Sequence, residues 1–215
     1  MREIKIGNKK VGGNNPAYII AEIGLNHQGD VGLAKRLIDY AIEAGVDAVK
    51  FQKRSLKDGY RSGTLENIEK EEHGGHYLLQ HIQKSELSNR DMKKLRDYSL
   101  SRGVDFLCTP WDETSLKFLS SMNLPAYKIA SADMVNFRLI HEASKLKKPL
   151  IISTGMSFMS EIESLVDFLE KIKVEYVLLH CNGTYPAPYH DINLKFIEAM
   201  RAKFNCNVGY SGHEQ

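Results

Sequence analysis

Short apolar runs recur along the chain and alternate with segments that have helical periodicity. Most of the runs are continuously apolar, as in strands that are buried on both faces. Strands and helices that alternate over short links indicate parallel strands joined by right-handed crossovers. The pattern therefore predicts an α/β fold. The runs are AYIIAEIG (17–24), DAVKFQ (47–52), DFLCTP (105–110), AYKIAS (126–131), PLIISTG (149–155), YVLLHCNG (176–183) and CNVGYSG (206–212).

Seven strands at a spacing of about 20–30 residues favour a TIM (β/α)8-type barrel over an open doubly wound sheet. The open sheet would need a Gly-rich phosphate turn after its first strand, and IGLNHQGD lacks the GxGxxG spacing. We interpret residues 1–215 as an incomplete barrel that contains strands one to seven, with the eighth strand expected beyond Gln215. The polar stretch 53–85, which contains HGGHY, is interpreted as a loop insertion over the catalytic face.

Helix start signals support this assignment. Asp30 is predicted to cap a helix that ends at Gly45, and Ser160 with Glu163 has the spacing of a capping box.

Composition excludes several classes of protein. The chain has 29 basic and 27 acidic residues, which gives no reason to expect nucleic acid or an anionic membrane as a partner. No apolar stretch approaches the roughly 20 residues that span a bilayer, and MREIKIGNKKVGG lacks the apolar core of a signal peptide. Three cysteines without a CxxC pair favour a reducing compartment, so a cytoplasmic protein is expected.

Polar side chains occupy the carboxyl ends of the predicted strands, where the catalytic groups of a βα barrel lie. Buried polar groups cost roughly 1–3 kcal/mol each unless a network or a ligand satisfies them. A ring of such groups therefore indicates a binding site. Its members are Glu22, Lys50, Gln52, Thr109, Lys128, Ser131, Ser153, Thr154, His180, Asn182, Ser211 and His213.

Two lysines among hydroxyl groups describe an anion pocket suited to phosphate or carboxylate. One alternative is that Lys50 and Lys128 form structural ion pairs with Glu22 or Asp133. Another is Schiff-base chemistry, which needs one desolvated lysine with a lowered pKa.

The histidines differ in what their positions suggest. His213 follows a small-residue turn at a strand end and is a candidate metal ligand or acid–base group. His27 is expected either to hydrogen-bond in the site or to cap a turn, and His180 is expected to be a satisfied core residue. The sequence has no HExxH motif and no histidine pair at ligand spacing.

A series of motifs resembles the sialic acid synthase family, whose members are phosphoenolpyruvate-dependent nonulosonic acid synthases. The resemblance runs from about residue 4 to the last residue. In order, the motifs are YIIAEIGLNHQGD, AVKFQKR, FLCTPWD, YKIASAD, IISTGM, LHCNGTYPAPYHDINL and GYSGHE.

The resemblance implies a TIM barrel followed by a small antifreeze-like domain in a domain-swapped homodimer. It implies condensation of phosphoenolpyruvate with the open-chain aldehyde of an N-acylated hexosamine such as N-acetylmannosamine, with release of phosphate by C–O cleavage. A divalent metal, manganese or magnesium, would polarise the aldehyde.

The resemblance also implies roles for individual residues. Glu22 and Asp133 are candidates for electrostatic or proton-transfer roles, and His213 matches one of two metal histidines. Glu22 and Tyr185 match positions that contact the amino sugar, and Gln52 and Asn182 are assigned to substrate binding. The phosphoenolpyruvate-binding positions are matched by Lys50, Thr109, Lys128, Ser131, Ser153 and Ser211.

Three departures from the family pattern leave alternatives open. Asp133 stands where many members have glutamate, and Asn182-Gly183 stands where bacterial sialic acid synthases often have Thr-Asn. The second metal histidine of the family lies in the eighth strand, outside this chain. The alternatives are a legionaminate, pseudaminate or spore-coat polysaccharide synthase, a synthase acting on an aldose phosphate, and a non-catalytic barrel that only binds a ligand or a partner chain.

Overall fold

The computed structural model describes residues 3–60 and 75–214, without the side chains of residues 75–78. These residues form two compact units. The three-stranded unit comprises residues 18–60 and 75–124, and the four-stranded unit comprises residues 3–17 and 125–214.

The strands lie close to where the apolar runs predict them. All seven predicted strands are confirmed, and a short antiparallel pair at the amino end of the described chain was not predicted. In chain order the strands are β1 (Ile4–Ile6), β2 (Lys9–Val11), β3 (Ile20–Gly24), β4 (Ala48–Lys53), β5 (Asp105–Pro110), β6 (Tyr127–Ile129), β7 (Leu150–Ser153), β8 (Tyr176–Cys181) and β9 (Asn207–Ser211).

Helices connect most of the parallel strands. Short 3-10 turns lie after β6 at Ser131–Asp133 and after β8 at Tyr189–Asp191. The helices are α1 (Val31–Glu43), α2 (Leu56–Gly59), α3 (Gly75–Ser85), α4 (Asn89–Ser101), α5 (Glu113–Ser120), α6 (Phe137–Ser144), α7 (Met159–Ile172) and α8 (Lys195–Phe204).

The three-stranded unit is a parallel sheet in the order β3-β4-β5. Because side chains alternate along a strand, Phe51 and Phe106 leave one face of the sheet, where their rings stack with centroids 5.0 Å apart. Both rings are fully buried. Helix α1 begins as predicted, since the Asp30 carboxylate accepts a hydrogen bond from the Leu33 amide at 2.7 Å. Gly45 follows this helix with φ +77°, a left-handed conformation that favours glycine.

The four-stranded unit is a parallel sheet in the order β6-β7-β8-β9, and it also contains the antiparallel pair β1-β2. Gly12 follows β2 with φ +92° and lies directly against the side chain of Asn207 in β9. A Cβ built at Gly12 would lie 2.7 Å from Asn207 Nδ2, so the close approach requires glycine. This contact joins the short antiparallel pair to the amino end of β9.

The predicted α/β fold class, with its parallel strands in sequence order, is confirmed through strand seven. Two local predictions are wrong. Helix α7 begins at Met159 rather than after Ser160, and the Glu161 carboxylate accepts from the Phe158 amide at 2.7 Å, so Ser160 and Glu163 form no capping box. The predicted loop 53–85 contains helices α2 and α3, while residues 61–74, with part of HGGHY, lie outside the described residues. Its placement over the catalytic face stays a prediction.

Candidate functional site

The predicted site residues fall into one group in each unit. The three-stranded unit holds Glu22, Lys50, Gln52 and Thr109. The four-stranded unit holds Lys128, Ser131, Asp133, Ser153, Asn182, Tyr185, Ser211 and His213. Each group is described on its own unit.

Strand register brings all four residues of the first group to one face of the three-stranded sheet. Glu22 is paired with Lys50 across β3 and β4, and Gln52 is paired with Thr109 across β4 and β5. Lys50 and Gln52 are two residues apart in β4, so their side chains leave the same face. Register therefore places these four side chains on one face, and Phe51 occupies the opposite, apolar face.

Lys50 and Glu22 form an ion pair on that face. The Lys50 side chain is only 11% exposed, whereas the Glu22 side chain is 48% exposed. A buried cation is therefore held beside a carboxylate that reaches solvent. Of the two ion pairs considered from sequence, this one is present.

Two residues that sequence reasoning did not select contact Gln52. Its side-chain oxygen accepts hydrogen bonds from Arg54 Nη2 at 3.0 Å and from Trp111 Nε1 at 3.2 Å. The Arg54 guanidinium also stacks on the Trp111 ring, with its central carbon 3.9 Å from the centroid. Arg54 directly follows β4, and Trp111 directly follows β5. This position after two strand ends is the sequence feature from which both residues could have been predicted.

Strand register likewise places Lys128, Ser153 and Ser211 on one face of the four-stranded sheet. Lys128 is paired with Ile151, two residues before Ser153 in β7, and Cys181 is paired with Ser211 across β8 and β9. Ser153 is paired with Leu179, two residues before Cys181 in β8, so the three polar side chains leave the sheet on the same side. The structure therefore brings these three predicted site residues to one face of the sheet.

Lys128 is a buried cation in this cluster. Its ammonium donates to Ser153 Oγ at 2.6 Å and to the Ile129 carbonyl at 2.8 Å, and both acceptors are neutral. Burial lowers the pKa of Lys128 to about 8 from its ordinary value of 10.5. A cation with this environment favours a bound anion, because the anion would restore the electrostatic stabilisation that burial removes.

Ser131 is held at the edge of the same cluster by the turn after β7. The Gly155 amide donates to Ser131 Oγ at 3.1 Å. A Cβ at Gly155 would lie 2.9 Å from that hydroxyl and 3.1 Å from the Cys181 carbonyl oxygen, so only glycine fits without displacing one of them. The backbone therefore positions a hydroxyl beside the strand that carries Ser153.

His213 lies against the cysteine that ends β8. Its Nε2 is 3.6 Å from Cys181 Sγ, and the Tyr185 ring meets it edge-on with centroids 4.9 Å apart. The thiol of Cys181 therefore faces the candidate metal ligand. Among residues 3–60 and 75–214, no three His, Cys, Asp or Glu side chains group as a metal site. The described donor set therefore does not fit a complete metal site, and His213 is one candidate ligand.

Asn182 and Asp133 have local partners in the loops that follow their strands. The Asn182 amide donates to the Asp191 carbonyl at 3.0 Å and accepts from the Thr184 amide at 2.8 Å. The Asp133 carboxylate accepts from Asn136 at 3.1 Å. Both side chains shape these loops, and their predicted contacts with substrate stay predictions.

His27 and His180, the other two histidines considered from sequence, are structural. His27 is buried and its Nδ1 accepts from the Gly29 amide at 3.1 Å, which agrees with the turn-capping alternative. Burial lowers its pKa. His180 leaves the opposite face of β8 from Cys181, where its Nε2 lies 2.6 Å from the Ile192 carbonyl oxygen and its ring packs on Phe196. The prediction of a satisfied core histidine is confirmed.

A cavity of about 840 Å³ lies at the amino ends of β8 and β9, away from the predicted strand-end cluster. Glu3, Glu170 and Glu175 line it, with Lys173 as a cation in the wall. This excess of carboxylates would repel phosphate and carboxylate ligands, so the cavity is not the candidate anion site. In the part of the chain that the structure describes, no helix has the length and apolarity to cross a membrane.

Comparison with known proteins gives the family of the chain. The NeuB family model matches residues 37–215. A crystal structure of N-acetylneuraminic acid synthetase from Leptospira borgpetersenii, in complex with citrate, matches with a TM-score of 0.88 and 35% identity. The match covers 99% of this chain and 70% of that one.

Curated relatives carry the names of synthases. N-acetylneuraminate-9-phosphate synthase of Mus musculus is 35% identical over 95% of this chain and 57% of its own length. N,N'-diacetyllegionaminic acid synthase of Campylobacter jejuni is 37% identical over 91% of this chain and 60% of its own length. The chain therefore spans less than two thirds of the length of these relatives.

Proposed function

We propose that this chain, which belongs to the NeuB family, carries the catalytic groups of a nonulosonic acid synthase. The proposed reaction joins phosphoenolpyruvate to the open-chain aldehyde of an N-acylated hexosamine, with N-acetylmannosamine as the model acceptor. The names of the mouse and Campylobacter relatives support synthesis of such an acid. The two names specify different acid products, so we propose a class of acceptor rather than one sugar.

The observation that carries the proposal is the environment of Lys128. Its ammonium is buried, and its hydrogen bonds go to a hydroxyl and a backbone carbonyl. Ser131 and Ser211 add hydroxyls in the same unit. Phosphoenolpyruvate carries a phosphate and a carboxylate, and directed hydroxyl donors with point-charge lysines suit both groups.

The proposed chemistry forms one carbon–carbon bond and breaks one carbon–oxygen bond. C3 of phosphoenolpyruvate attacks the aldehyde carbon, and the aldehyde oxygen takes up a proton. Water adds at C2 and loses a proton, after which the bond from C2 to the phosphate oxygen breaks. The products are a 2-oxo acid and inorganic phosphate, so phosphoenolpyruvate, aldehyde and water balance without an oxidant.

The chain's own residues are proposed to bind, orient and move protons. Lys50, Thr109, Lys128, Ser131, Ser153 and Ser211 are assigned to phosphoenolpyruvate. Glu22, Gln52, Asn182 and Tyr185 are assigned to the amino sugar. Glu22 or Asp133 is assigned to proton transfer or to stabilising the positive charge that develops at C2.

Three further parts of the proposal concern the whole protein. A divalent metal, manganese or magnesium, would polarise the aldehyde when bound, with His213 as one of its ligands. The full-length protein is proposed to be a cytoplasmic homodimer. The metal requirement is tested by treating the protein with a chelator, adding back each metal and measuring the rate of phosphate release.

Isotopic labelling tests the reaction directly. Phosphoenolpyruvate labelled with oxygen-18 at the bridging oxygen is incubated with N-acetylmannosamine, or with its 6-phosphate, and the product of the whole gene. C–O cleavage sends the label into inorganic phosphate, whereas P–O cleavage leaves it in the organic acid. Lys128→Met should abolish release, while Lys145→Met, which changes an exposed lysine directly after helix α6, should not. Label retained in the acid would contradict the proposed mechanism.

Two alternative functions, an aldose-phosphate synthase and a non-catalytic barrel, are distinguished by the acceptor used and by whether turnover occurs. Turnover with an aldose phosphate such as erythrose 4-phosphate, and none with amino sugars, would favour the aldose-phosphate synthase. Binding of phosphoenolpyruvate without turnover by the 215-residue chain and by the product of the whole gene would favour the non-catalytic barrel.

The lowered pKa of Lys128 also meets one requirement of Schiff-base chemistry. Borohydride reduction in the presence of pyruvate would then attach a pyruvyl group to Lys128, and mass spectrometry would detect it. The proposed reaction predicts no such adduct.

A further inference from the structure

Gln52 lies at the end of β4 with its carboxamide held by two side chains from adjacent strand ends. Arg54 Nη2 and Trp111 Nε1 both donate to its oxygen, at 3.0 and 3.2 Å. The Trp111 backbone amide donates in turn to the Lys53 carbonyl at 3.1 Å, which fixes the segment after β5 to the end of β4. The Asp112 carboxylate accepts from the Ser55 amide at 2.6 Å and strengthens the same connection.

The chemistry of these partners determines which way the amide of Gln52 faces. An arginine guanidinium and an indole N–H can only donate hydrogen bonds, so the atom that faces them must be the oxygen of Gln52. The amide nitrogen must then point away from Arg54 and Trp111. The usual ambiguity between oxygen and nitrogen in a glutamine side chain is therefore removed.

The nitrogen of Gln52 points toward the Glu22 side of the sheet. A Cβ built on Gly24 would lie 3.5 Å from Gln52 Nε2 and 3.3 Å from Glu22 Oε1. Gly24 has φ +54° and carries no side chain, so a donor and an acceptor flank the space above it. The Glu22 side chain is 48% exposed, so its carboxylate can be reached from solvent.

We propose that Arg54 and Trp111 are positioning residues that orient the Gln52 amide toward the amino sugar. This inference rests on the proposed function and identifies how the acceptor is selected. A hydroxyl both donates and accepts, so it can accept from Gln52 Nε2 while it donates to Glu22. The polar atoms of ionised phosphoenolpyruvate only accept hydrogen bonds, so none of them can donate to the Glu22 carboxylate. This corner therefore serves the acceptor sugar rather than phosphoenolpyruvate.

Steady-state kinetics with N-acetylmannosamine and phosphoenolpyruvate test the role in the product of the whole gene. Trp111→Phe keeps the ring and removes the indole donor, and Arg54→Gln removes the guanidinium. Each should raise KM for N-acetylmannosamine about threefold to tenfold, the effect expected for one hydrogen bond, and leave KM for phosphoenolpyruvate unchanged. Arg102→Gln is the matched control, since Arg102 stacks on Tyr98 elsewhere in the same unit.

A double-mutant cycle separates positioning from general packing. If Arg54 and Trp111 act through Gln52, neither substitution should raise KM for the sugar further in a Gln52→Ala background. An equal rise in both backgrounds would overturn the proposal, as would a parallel rise in KM for phosphoenolpyruvate. Arg54→Lys keeps the charge and loses the planar donor, so it distinguishes loss of geometry from loss of charge. Thermal unfolding midpoints confirm that each variant folds.

Fluorescence provides a second measurement that needs no turnover. Trp111 is the single tryptophan of residues 1–215, so the emission of this 215-residue chain reports on this corner. N-acetylmannosamine should change the emission saturably, and Arg54→Gln should raise the Kd for the sugar by the same factor as KM. Saturable sugar binding without phosphate release would count against the proposed function alone. An unchanged Kd in Arg54→Gln would overturn the positioning role alone, and no sugar binding at any concentration would overturn both.

Discussion

Lys128 Nζ and Ser153 Oγ lie 2.6 Å apart, joining a buried cation on β6 to a hydroxyl on β7. The two residues are 25 positions apart in sequence and meet because their strands are parallel neighbours. Burial holds the pKa of the lysine near 8, which leaves it partly charged at neutral to mildly alkaline pH. Its charge state should therefore control binding of anions.

The affinity for phosphoenolpyruvate should fall as pH rises through about 8. The protonated lysine attracts the anion and the neutral amine does not, so the affinity is lost where Lys128 titrates in the free protein. Calorimetric Kd values between pH 6.5 and 9.5 check this. Lys128→Arg keeps its charge over that range and should give a flat profile, and a flat profile in the unsubstituted protein would contradict the prediction.

Stability should respond to pH in the opposite direction. The pKa of Lys128 is about 8 when folded and 10.5 ordinarily, so between these values the unfolded chain holds a proton that the folded chain lacks. The free energy of unfolding therefore rises with pH across this window, and it rises more than in Lys128→Met. Denaturant titrations at several pH values measure the difference.

Removal of either strand lysine should affect the two substrates unequally. Lys50→Ala and Lys128→Ala are expected to weaken phosphoenolpyruvate binding more than sugar binding, because the lost charges serve the anion. A loss of one charged hydrogen bond corresponds to at least about tenfold in Kd. Separate titrations with each ligand measure both constants. Equal losses, or none, would remove the basis for the anion pocket.

Gly155→Ala should impair the site through Ser131. The added methyl group would lie 2.9 Å from the Ser131 hydroxyl and 3.1 Å from a backbone oxygen, and the hydroxyl is the part that can move. We expect the Kd for phosphoenolpyruvate to rise, together with a loss of about 1–3 kcal/mol in stability. Gly59→Ala is the control, because a Cβ there meets nothing within 4 Å.

Gly12→Ala should destabilise the four-stranded unit without touching the candidate site. The substitution adds a methyl group against Asn207 at a residue with φ +92°. Gly103→Ala has a similar φ of +84° but open space around it, so it reports the backbone strain alone. Chemical denaturation should show that Gly12→Ala loses about 1–3 kcal/mol more than Gly103→Ala. Similar losses in both would mean that the Asn207 contact contributes little.

The seven strands could be predicted because burial on both faces leaves a strong local signal, as in the continuous run that contains Val177 and Leu178. The polar strand ends were equally visible, since Lys50 and Lys128 interrupt apolar runs. The pair β1-β2 was missed because its strands are short and not continuously apolar, with Lys5, Lys9 and Lys10 exposed. The equally short β6 is buried at all three positions and lies within a longer apolar run.

Contacts between strands were harder to predict than strands. The pairing of Glu22 with Lys50 depends on register, which the two separate runs do not encode. Arg54 and Trp111 were missed because their role depends on meeting Gln52 from two different strand ends. Cys181 was missed for a related reason, since a lone cysteine in a strand is most often a packing residue.

The contact between Gly12 and Asn207 has a consequence for how the chain folds. Residues 18–124 are contiguous, so the three-stranded unit can assemble while the rest of the polypeptide is still being synthesised. The other unit draws on both ends of the chain, so its amino-terminal segment must wait for β9 to emerge from the ribosome. During that interval the apolar side chains of Ile4 and Ile6 lack their final partners. Chaperones can then bind this segment, and proteases can cleave it.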